Sequence, residues 1–176
     1  MYEAHLNGAK LDGANLYGAD LSRVELDYVQ ARNLLQCPAA LPIHWQCVGN
    51  NLAGPHAFLR HANLYGTDLS DVNLSFAYLG GANLTGAELN SSNLHGAELN
   101  YAEMIYAEMI YVILDGANLT GANLTGADLY GASLAYANLT GADLNGASLN
   151  SVTWYNTICP DGANSDDNGN TCENNL

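Results

Sequence analysis

The stretch that decides the fold runs from residue 82 to residue 149, and its second half (117–149) reads ANLTG ANLTG ADLYG ASLAY ANLTG ADLNG ASL. The pattern repeats every five residues over fourteen consecutive units, with Leu or Met at the centre and a small residue, usually Ala, two positions earlier. An internal repeat of this kind indicates a stacked repeat architecture. Five residues turn an α-helix by about 500°, so a helix would scatter these Leu side chains around its circumference.

Each unit instead has the features of a short extended segment followed by a bend. In Ala-x-Leu the two apolar side chains face one way, and the polar residue between them faces the other. The last two positions hold Thr, Ser, Asn, Tyr or Gly in most units, several of which favour turns. We therefore expect the units to wind into coils with Leu and Ala inside, each of which needs neighbouring coils to bury its apolar side chains.

The iterated A(D/N)Lxx signature resembles that of the pentapeptide repeat proteins, of the cyanobacterial or bacterial type with a cysteine-bracketed tail. The signature is highly specific when iterated, and it covers about three quarters of the chain. The resemblance implies an all-β fold, a right-handed quadrilateral parallel β-helix with four units and twenty residues per coil. Five units centred on residues 6–26 and twenty centred on residues 59–154 then give a solenoid of about six coils.

The chain is interpreted as one domain, 1–176, with two segments outside the repeat. Residues 30–56 interrupt the Leu phase and contain three prolines and two cysteines, so we expect a non-repeat insertion. It should hold a loop with at most one short helical turn, packed on one flank by Ile43 and Trp45. Trp154 takes the Leu position of the last unit and is expected to close the end of the core. Residues 155–176 form a polar, turn-rich tail.

The charge of the chain limits its partners. The formal net charge is −14, the four basic residues all precede His61, and thirteen acidic residues follow it. Such a surface repels phosphates, so direct nucleic-acid binding is not expected, whereas a basic partner is favoured. No stretch approaches the ~20 apolar residues of a membrane span. No signal peptide is visible, so the protein is expected either to be cytoplasmic or to have lost a leader.

The four cysteines are expected to form two local disulfides. Cys37 and Cys47 are ten residues apart, Cys159 and Cys172 are thirteen apart, and each pair spans a non-repeat segment. Disulfides indicate an oxidising compartment, here the periplasm or a lumen. The competing interpretation is a zinc site made by Cys37, His44 and Cys47 with His56 or His61, although this spacing is not that of a standard finger.

The tail also carries a weak calcium pattern. Asn164, Asp166 and Asn168 precede Gly169 in the order of the first half of a calcium loop. Position twelve of the loop falls on Asn175 rather than on a bidentate Glu. The alternative interpretation is a turn-rich cap, and no cofactor or metal is assigned.

A twenty-residue coil predicts which side chains stack. Asp68, Glu88, Glu108 and Asp128 would then form one outward column, with neighbouring Cβ atoms ~5 Å apart and a repulsion of about 0.8 kcal/mol per pair even in water. The column is interpreted either as an acidic ridge for cations or a basic partner, or as a solvated ladder whose side chains splay apart.

One coil carries more aromatic and apolar side chains on its outside than the others. The residues concerned are Tyr101, Ile105, Tyr106, Ile110 and Tyr111. They would form either an apolar interaction belt covered by a partner or a second copy, or a set of corners at which Tyr rings lie flat over Gly in an adjacent coil.

No catalytic constellation emerges, so the chain is predicted not to be an enzyme. The primary hypothesis is a non-enzymatic structural or protein-interaction rod, with an unidentified protein partner met through basic or apolar contacts. An open coil end exposes unpaired backbone, so a homodimer through such an end is a further expectation. Some members of the family are acidic rods that bind DNA gyrase, which makes DNA mimicry the main alternative, and a calcium-responsive module is the weaker one.

Overall fold

A computed structural model describes residues 5–173, except for the side chain of Asn168. Its backbone is a ladder of parallel β-bridges between residues twenty apart, from Phe58 and Tyr78 to Asn138 and Ile158. A bridge occurs once in every five residues, so each twenty-residue coil is joined to the next at four points. The predicted twenty-residue stacking and the all-β architecture are therefore confirmed.

Two hydrogen bonds at each bridge hold adjacent coils together. The Asn83 N–H donates to the Ala62 carbonyl at 3.0 Å, and the Asn83 carbonyl accepts from the Leu64 N–H at 2.8 Å. Both groups of the middle residue thus point to the preceding coil. This satisfies the backbone of short extended segments that have no neighbour within their own coil.

The repeated Leu and Ala side chains fill the interior of the stack. From Ala53 onward they form one continuous buried cluster, in which Leu64, Leu84 and Met104 are completely inaccessible to water. Burial of a Leu side chain contributes about 1.5–3 kcal/mol. The polar residue between Ala and Leu faces outward, as the alternation predicts.

In the main stack, the corner that follows each central position from residue 59 to residue 154 is left-handed. Tyr101 has a φ of 58° and Gly121 a φ of 65°, a conformation that Gly adopts at no steric cost. The recurrence of Gly at this position in the sequence is therefore explained by the bend itself.

The N-terminal coils form a second buried cluster, built around Leu26, Val29, Ala31, Leu34 and Leu52. Their bridges extend into the predicted insertion, because Asn15 pairs with Gln36 and Asp20 pairs with Ala40. Residues 30–40 thus lie along the coil edge although they no longer follow the pentapeptide pattern.

The remainder of the predicted insertion contains an antiparallel hairpin made of β1 (Gln46–Val48) and β2 (Asn51–Ala53). No helix occurs between residues 30 and 56, which lies within the expected limit of at most one short helical turn. The expected packing of Ile43 is wrong, because this side chain is 82% exposed. Trp45 does pack inward, against both buried clusters, and its ring covers Gly54.

The C-terminal segment lies over the end of the stack. Trp154 is buried, as expected, and Cys159 and Cys172 are completely buried beside it. A 3-10 helix, Ser165–Asn168, is capped by the Asn164 side chain, which accepts from the Asp166 N–H. Between residues 5 and 173, no helix is long and apolar enough to cross a membrane.

Candidate interaction surface

The four carboxylates of the predicted ridge lie in one column on the outside of the stack. Parallel bridges join Asp68 to Glu88, Glu88 to Glu108, and Glu108 to Asp128. The first three are exposed and Asp128 is half-exposed. Adjacent strands are about 4.8 Å apart, so the four carboxylates follow one another along the stack at about this spacing. No basic side chain lies between them in the column.

Local hydrogen bonds engage three of the four carboxylates of this column. Asp68 Oδ1 accepts from the Ser70 N–H at 3.0 Å, and hydrogen bonds from the backbone and the side chain of Ser70 hold the pKa of Asp68 below its ordinary value. Asp128 Oδ1 accepts from the Tyr130 N–H at 3.1 Å. Glu108 accepts from the Asn90 side-chain amide at 3.2 Å.

Acidic residues on two other faces are paired with amides in their own columns. Glu98 accepts from the Asn118 side-chain amide at 2.9 Å, and Glu103 accepts from the Asn123 amide at 3.0 Å. In both columns the bridged neighbour on the next coil is therefore a hydrogen-bond donor. The column of Asp68, Glu88, Glu108 and Asp128, which we call the acidic ridge, differs because its three bridges from Asp68 to Asp128 each join two carboxylates.

The predicted aromatic belt consists of corner residues whose rings cover glycines of the next coil. A Cβ added to Gly121, Gly126 or Gly131 would stand 2.4–2.6 Å from the nearest atom of the tyrosine ring. The rings concerned are those of Tyr101, Tyr106 and Tyr111, in that order. The three tyrosines nevertheless remain 57–69% exposed, while Ile105 and Ile110 are half-buried. The packing fits the interpretation as corners, and a binding role stays a prediction.

A second aromatic group, which the sequence analysis missed, lies at the junction of the N-terminal coils and the main stack. The ring of His56 stacks on Phe76 with centroids 5.3 Å apart, and Tyr28 lies 5.4 Å from His56. The Arg60 guanidinium is 5.8 Å from the centroid of Tyr78. His56 and Phe76 are twenty residues apart, so the period could have revealed this pair. Tyr28 could not be aligned because the interrupted repeat shifts its register.

Both predicted disulfides are present. Cys37 is bonded to Cys47 and Cys159 to Cys172, with Cα–Cα distances of 6.0 and 5.3 Å. The first bond ties the coil edge to β1, and the second fastens the tail to the end of the core. The zinc interpretation is wrong, because neither Cys37 nor Cys47 has a free thiolate.

The side chains of the calcium pattern are engaged within the tail. Asn164 Oδ1 accepts from the Asp166 N–H at 2.9 Å, and Asp166 Oδ1 accepts from the Asn156 N–H at 2.8 Å. The side chain of Asn168 and the whole of Asn175 lie outside the described residues. Across residues 5–173, no group of three or more His, Cys, Asp or Glu side chains is placed to hold a metal ion. The contacts of Asn164 and Asp166 are those of a turn-rich cap.

Comparison with protein families identifies the repeat. The family model described as pentapeptide repeats matches in eight copies, at residues 1–33, 55–86, 77–110 and 113–150. A comparison with curated proteins found no match.

Several solved structures are similar to this chain. One is the pentapeptide repeat protein Rfr23 from the cyanobacterium Cyanothece 51142, with 26% identity over 51% of this chain and 85% of that one, at a TM-score of 0.39. Another is HetL from Nostoc sp. strain PCC 7120, a protein involved in heterocyst differentiation regulation, with 27% identity over 92% and 91% and a TM-score of 0.28. A third is QnrB1, a plasmid-mediated fluoroquinolone resistance protein, with 19% identity over 88% and 77% and a TM-score of 0.39.

Proposed function

Because this chain belongs to the pentapeptide repeat family, we propose that it is a non-enzymatic interaction rod that binds a basic protein surface through the acidic ridge. The observation that carries the proposal is the run of four bridged carboxylates, from Asp68 to Asp128, on successive coils. A continuous row of like charges attracts a complementary surface and raises the rate of encounter with it.

The packing of the rod supports a role in binding. Leu, Met and Ala fill the interior, so the surface features that differ between coils are the outward side chains and the corners. Following the family resemblance, we propose a right-handed, four-sided rod of about six coils. The ridge would then occupy one of its four sides.

The disulfides support an oxidising compartment such as the periplasm or a lumen, since such bonds persist there and are rare in the cytosol. Titration of the native protein with a thiol reagent, before and after reduction, tests this part of the proposal. We expect no reactive thiol before reduction and all four cysteines to react afterwards. Four reactive thiols in protein isolated without reductant would contradict the assignment and favour a cytoplasmic location.

Two variants with equal net charge test the ridge. The ridge variant carries Glu88→Gln, Glu108→Gln and Asp128→Asn. The control carries Glu98→Gln, Glu103→Gln and Asp143→Asn, which neutralise the same residue types on two other faces. Binding of a lysine-rich peptide is measured by fluorescence anisotropy at low and at physiological ionic strength, because screening weakens exposed charge interactions.

We expect the ridge variant to bind the peptide about tenfold more weakly than the control at low ionic strength. Equal losses in the two variants would mean that the peptide responds only to net charge, and the ridge would then not be the binding surface.

DNA mimicry is the second candidate, favoured by the concentration of thirteen acidic residues after His61. A gyrase supercoiling assay with and without the protein tests it. If the protein inhibits gyrase, and the ridge variant loses this inhibition while the control keeps it, the partner of the ridge would be a nucleic-acid enzyme. This result would favour DNA mimicry over binding to a basic protein of unspecified kind.

A further inference from the structure

In the part of the chain that the structure describes, the first coil of the rod has a β-edge without a backbone partner. In the interior coils, the N–H and C=O of each middle residue bond to the preceding coil. His5, Lys10, Asn15 and Asp20 hold this position in the first described coil. Among residues 5–173, no backbone group pairs with the N–H or C=O of any of these four residues. An edge of this kind is a template for pairing with another chain.

The apolar interior is also less covered at this end. Leu6, Leu11 and Leu16 are half-exposed, although the equivalent Leu side chains of the main stack are fully buried. At the opposite end, Leu144 and Leu149 are only 3% and 8% exposed beside the buried Trp154. The two ends of the described rod therefore differ, because the coil that begins at His5 combines backbone groups without a partner among residues 5–173 and half-exposed Leu side chains.

The distribution of charge favours a second copy at this end. Residues 5–32 carry four acidic and three basic side chains, whereas residues 61–173 carry thirteen acidic ones and no Lys or Arg. Two rods that lie side by side would bring their acidic surfaces together. Two rods that meet through their N-terminal ends keep those surfaces far apart, so repulsion is weakest in this arrangement.

The edge residues are also complementary to themselves under two-fold symmetry. Lys10 and Asp20 are ten residues apart, half of the twenty-residue repeat, so they lie on opposite sides of the coil. Consider a two-fold axis that is perpendicular to the rod, lies at its end and passes through the sides that carry His5 and Asn15. Rotation about this axis exchanges the side of Lys10 with the side of Asp20. Lys10 of one copy then lies beside Asp20 of the other, and the reverse pair forms by symmetry.

We propose that the first coil pairs edge to edge with the first coil of a second copy, as a two-fold dimer with reciprocal Lys10–Asp20 contacts. The two-fold makes the paired edges antiparallel, the arrangement in which opposite residues exchange N–H···O=C bonds. This inference extends the proposed interaction role and rests on it only in treating the protein as a binding module. It places the dimer contact at the rod end and leaves the acidic ridge free for a partner.

Sedimentation velocity of the full chain, from about 1 μM to about 1 mM, tests the dimer. We expect the mass to rise with concentration from 18.6 kDa toward twice that value. Lys10→Glu alone and Asp20→Lys alone should each raise the dimer dissociation constant about tenfold or more, since each places like charges opposite one another. The double variant, Lys10→Glu with Asp20→Lys, restores both pairs and should return to near the wild-type constant.

A matched control is Asp143→Lys, which makes the same change near the other end of the rod and should leave the constant within about twofold. A chain that stays monomeric at every concentration, as it would if its own N-terminal residues covered the edge, would overturn the proposal. Failure of the double variant to recover would overturn the two-fold register. Binding of the lysine-rich peptide by Lys10→Glu is a separate readout, so failure of the dimer and failure of the ridge are distinguishable.

Discussion

The ring of Tyr101 lies over the backbone of Gly121 in the next coil, so that a Cβ at position 121 would stand 2.6 Å from Tyr101 Cε1. Gly121 also has a φ of 65°. We expect Gly121→Ala to lower the free energy of unfolding by about 1–2 kcal/mol through left-handed strain. Displacement of the ring should cost about 1 kcal/mol more. Urea denaturation followed by circular dichroism measures both.

Gly116→Ala is the matched control, because Gly116 has a φ of 67° but nothing within 4 Å of an added Cβ. It should show the strain alone. In a Tyr101→Ala background the excess cost of Gly121→Ala should vanish. Equal losses for the two glycine substitutions in the wild-type background would show that the ring does not constrain the corner.

The buried amide of Asn51 supports a second prediction. Its Nδ2 donates to the carbonyls of Gly49 and Asn63, at 2.7 and 3.3 Å, and its Oδ1 accepts from the Asn33 N–H at 3.2 Å. The side chain therefore joins the hairpin to the coils on both sides of it. Replacement by Leu would leave these buried groups unpaired, and we expect a loss of about 3 kcal/mol in the free energy of unfolding.

The control for Asn51→Leu is Asn63→Ala. Asn63 is exposed, and its side chain accepts a single hydrogen bond, from the Tyr65 N–H at 3.3 Å. Its removal should cost less than about 1 kcal/mol, again measured in urea. A similar loss in both variants would mean that Asn51 acts only as an ordinary turn residue.

The sequence predicts the stacking of the main rod because each coil contacts only its neighbours and the Leu period is unbroken from residue 59 to residue 154. The columns that contain Glu88 and Glu103 follow from this period alone. The structure of residues 41–53 could not be predicted in the same way, because there the period is interrupted. The burial of Asn51 depends on coils that the local sequence does not specify, and Ile43 is exposed despite its apolar side chain.

Repulsion within the acidic ridge leads to a third prediction. Glu88 is bridged to a carboxylate on each side, Asp68 and Glu108. At an ionic strength of about 10 mM the screening length is about 30 Å, so Glu88→Gln should raise the melting temperature by about 1–2 °C. The gain should disappear in 1 M salt.

Glu103→Gln is the control and should give no gain, because Glu103 accepts from the Asn123 amide. No rise in the melting temperature for Glu88→Gln at low salt would show that the ridge side chains splay apart without repulsion.

The ion pair of Asp12 and Arg32 gives the stability a dependence on pH. Hydrogen bonding by the Arg32 side chain holds the pKa of Asp12 below its ordinary value of 3.8. A depressed carboxyl pKa adds stability that is fully present above the unfolded value and is lost as the pH falls through the folded value. Asp12→Asn should therefore destabilise the protein at pH 7 by at most about 1 kcal/mol, since the pair is partly exposed.

The difference between wild type and Asp12→Asn should shrink as the pH falls below the ordinary aspartate pKa of 3.8. It should vanish once Asp12 is protonated in the folded protein, as measured by urea denaturation over the acidic range. Asp27→Asn removes the same charge from the neighbouring coil and controls for the change in net charge. A difference between wild type and Asp12→Asn that is constant with pH would show that the aspartate contributes through packing and not through its charge.

The two disulfides are expected to differ in their reactivity with reductant. Cys159 and Cys172 are completely buried, whereas Cys37 and Cys47 are each half-exposed. Because attack on a disulfide needs access to a sulfur atom, a mild thiol reductant should open Cys37–Cys47 about tenfold faster or more. Differential alkylation and mass spectrometry measure the two rates in the native protein. In the unfolded protein, where access is equal, the two rates should converge. A faster reduction of Cys159–Cys172 in the native protein would mean that the tail opens readily and does not hold the end of the core.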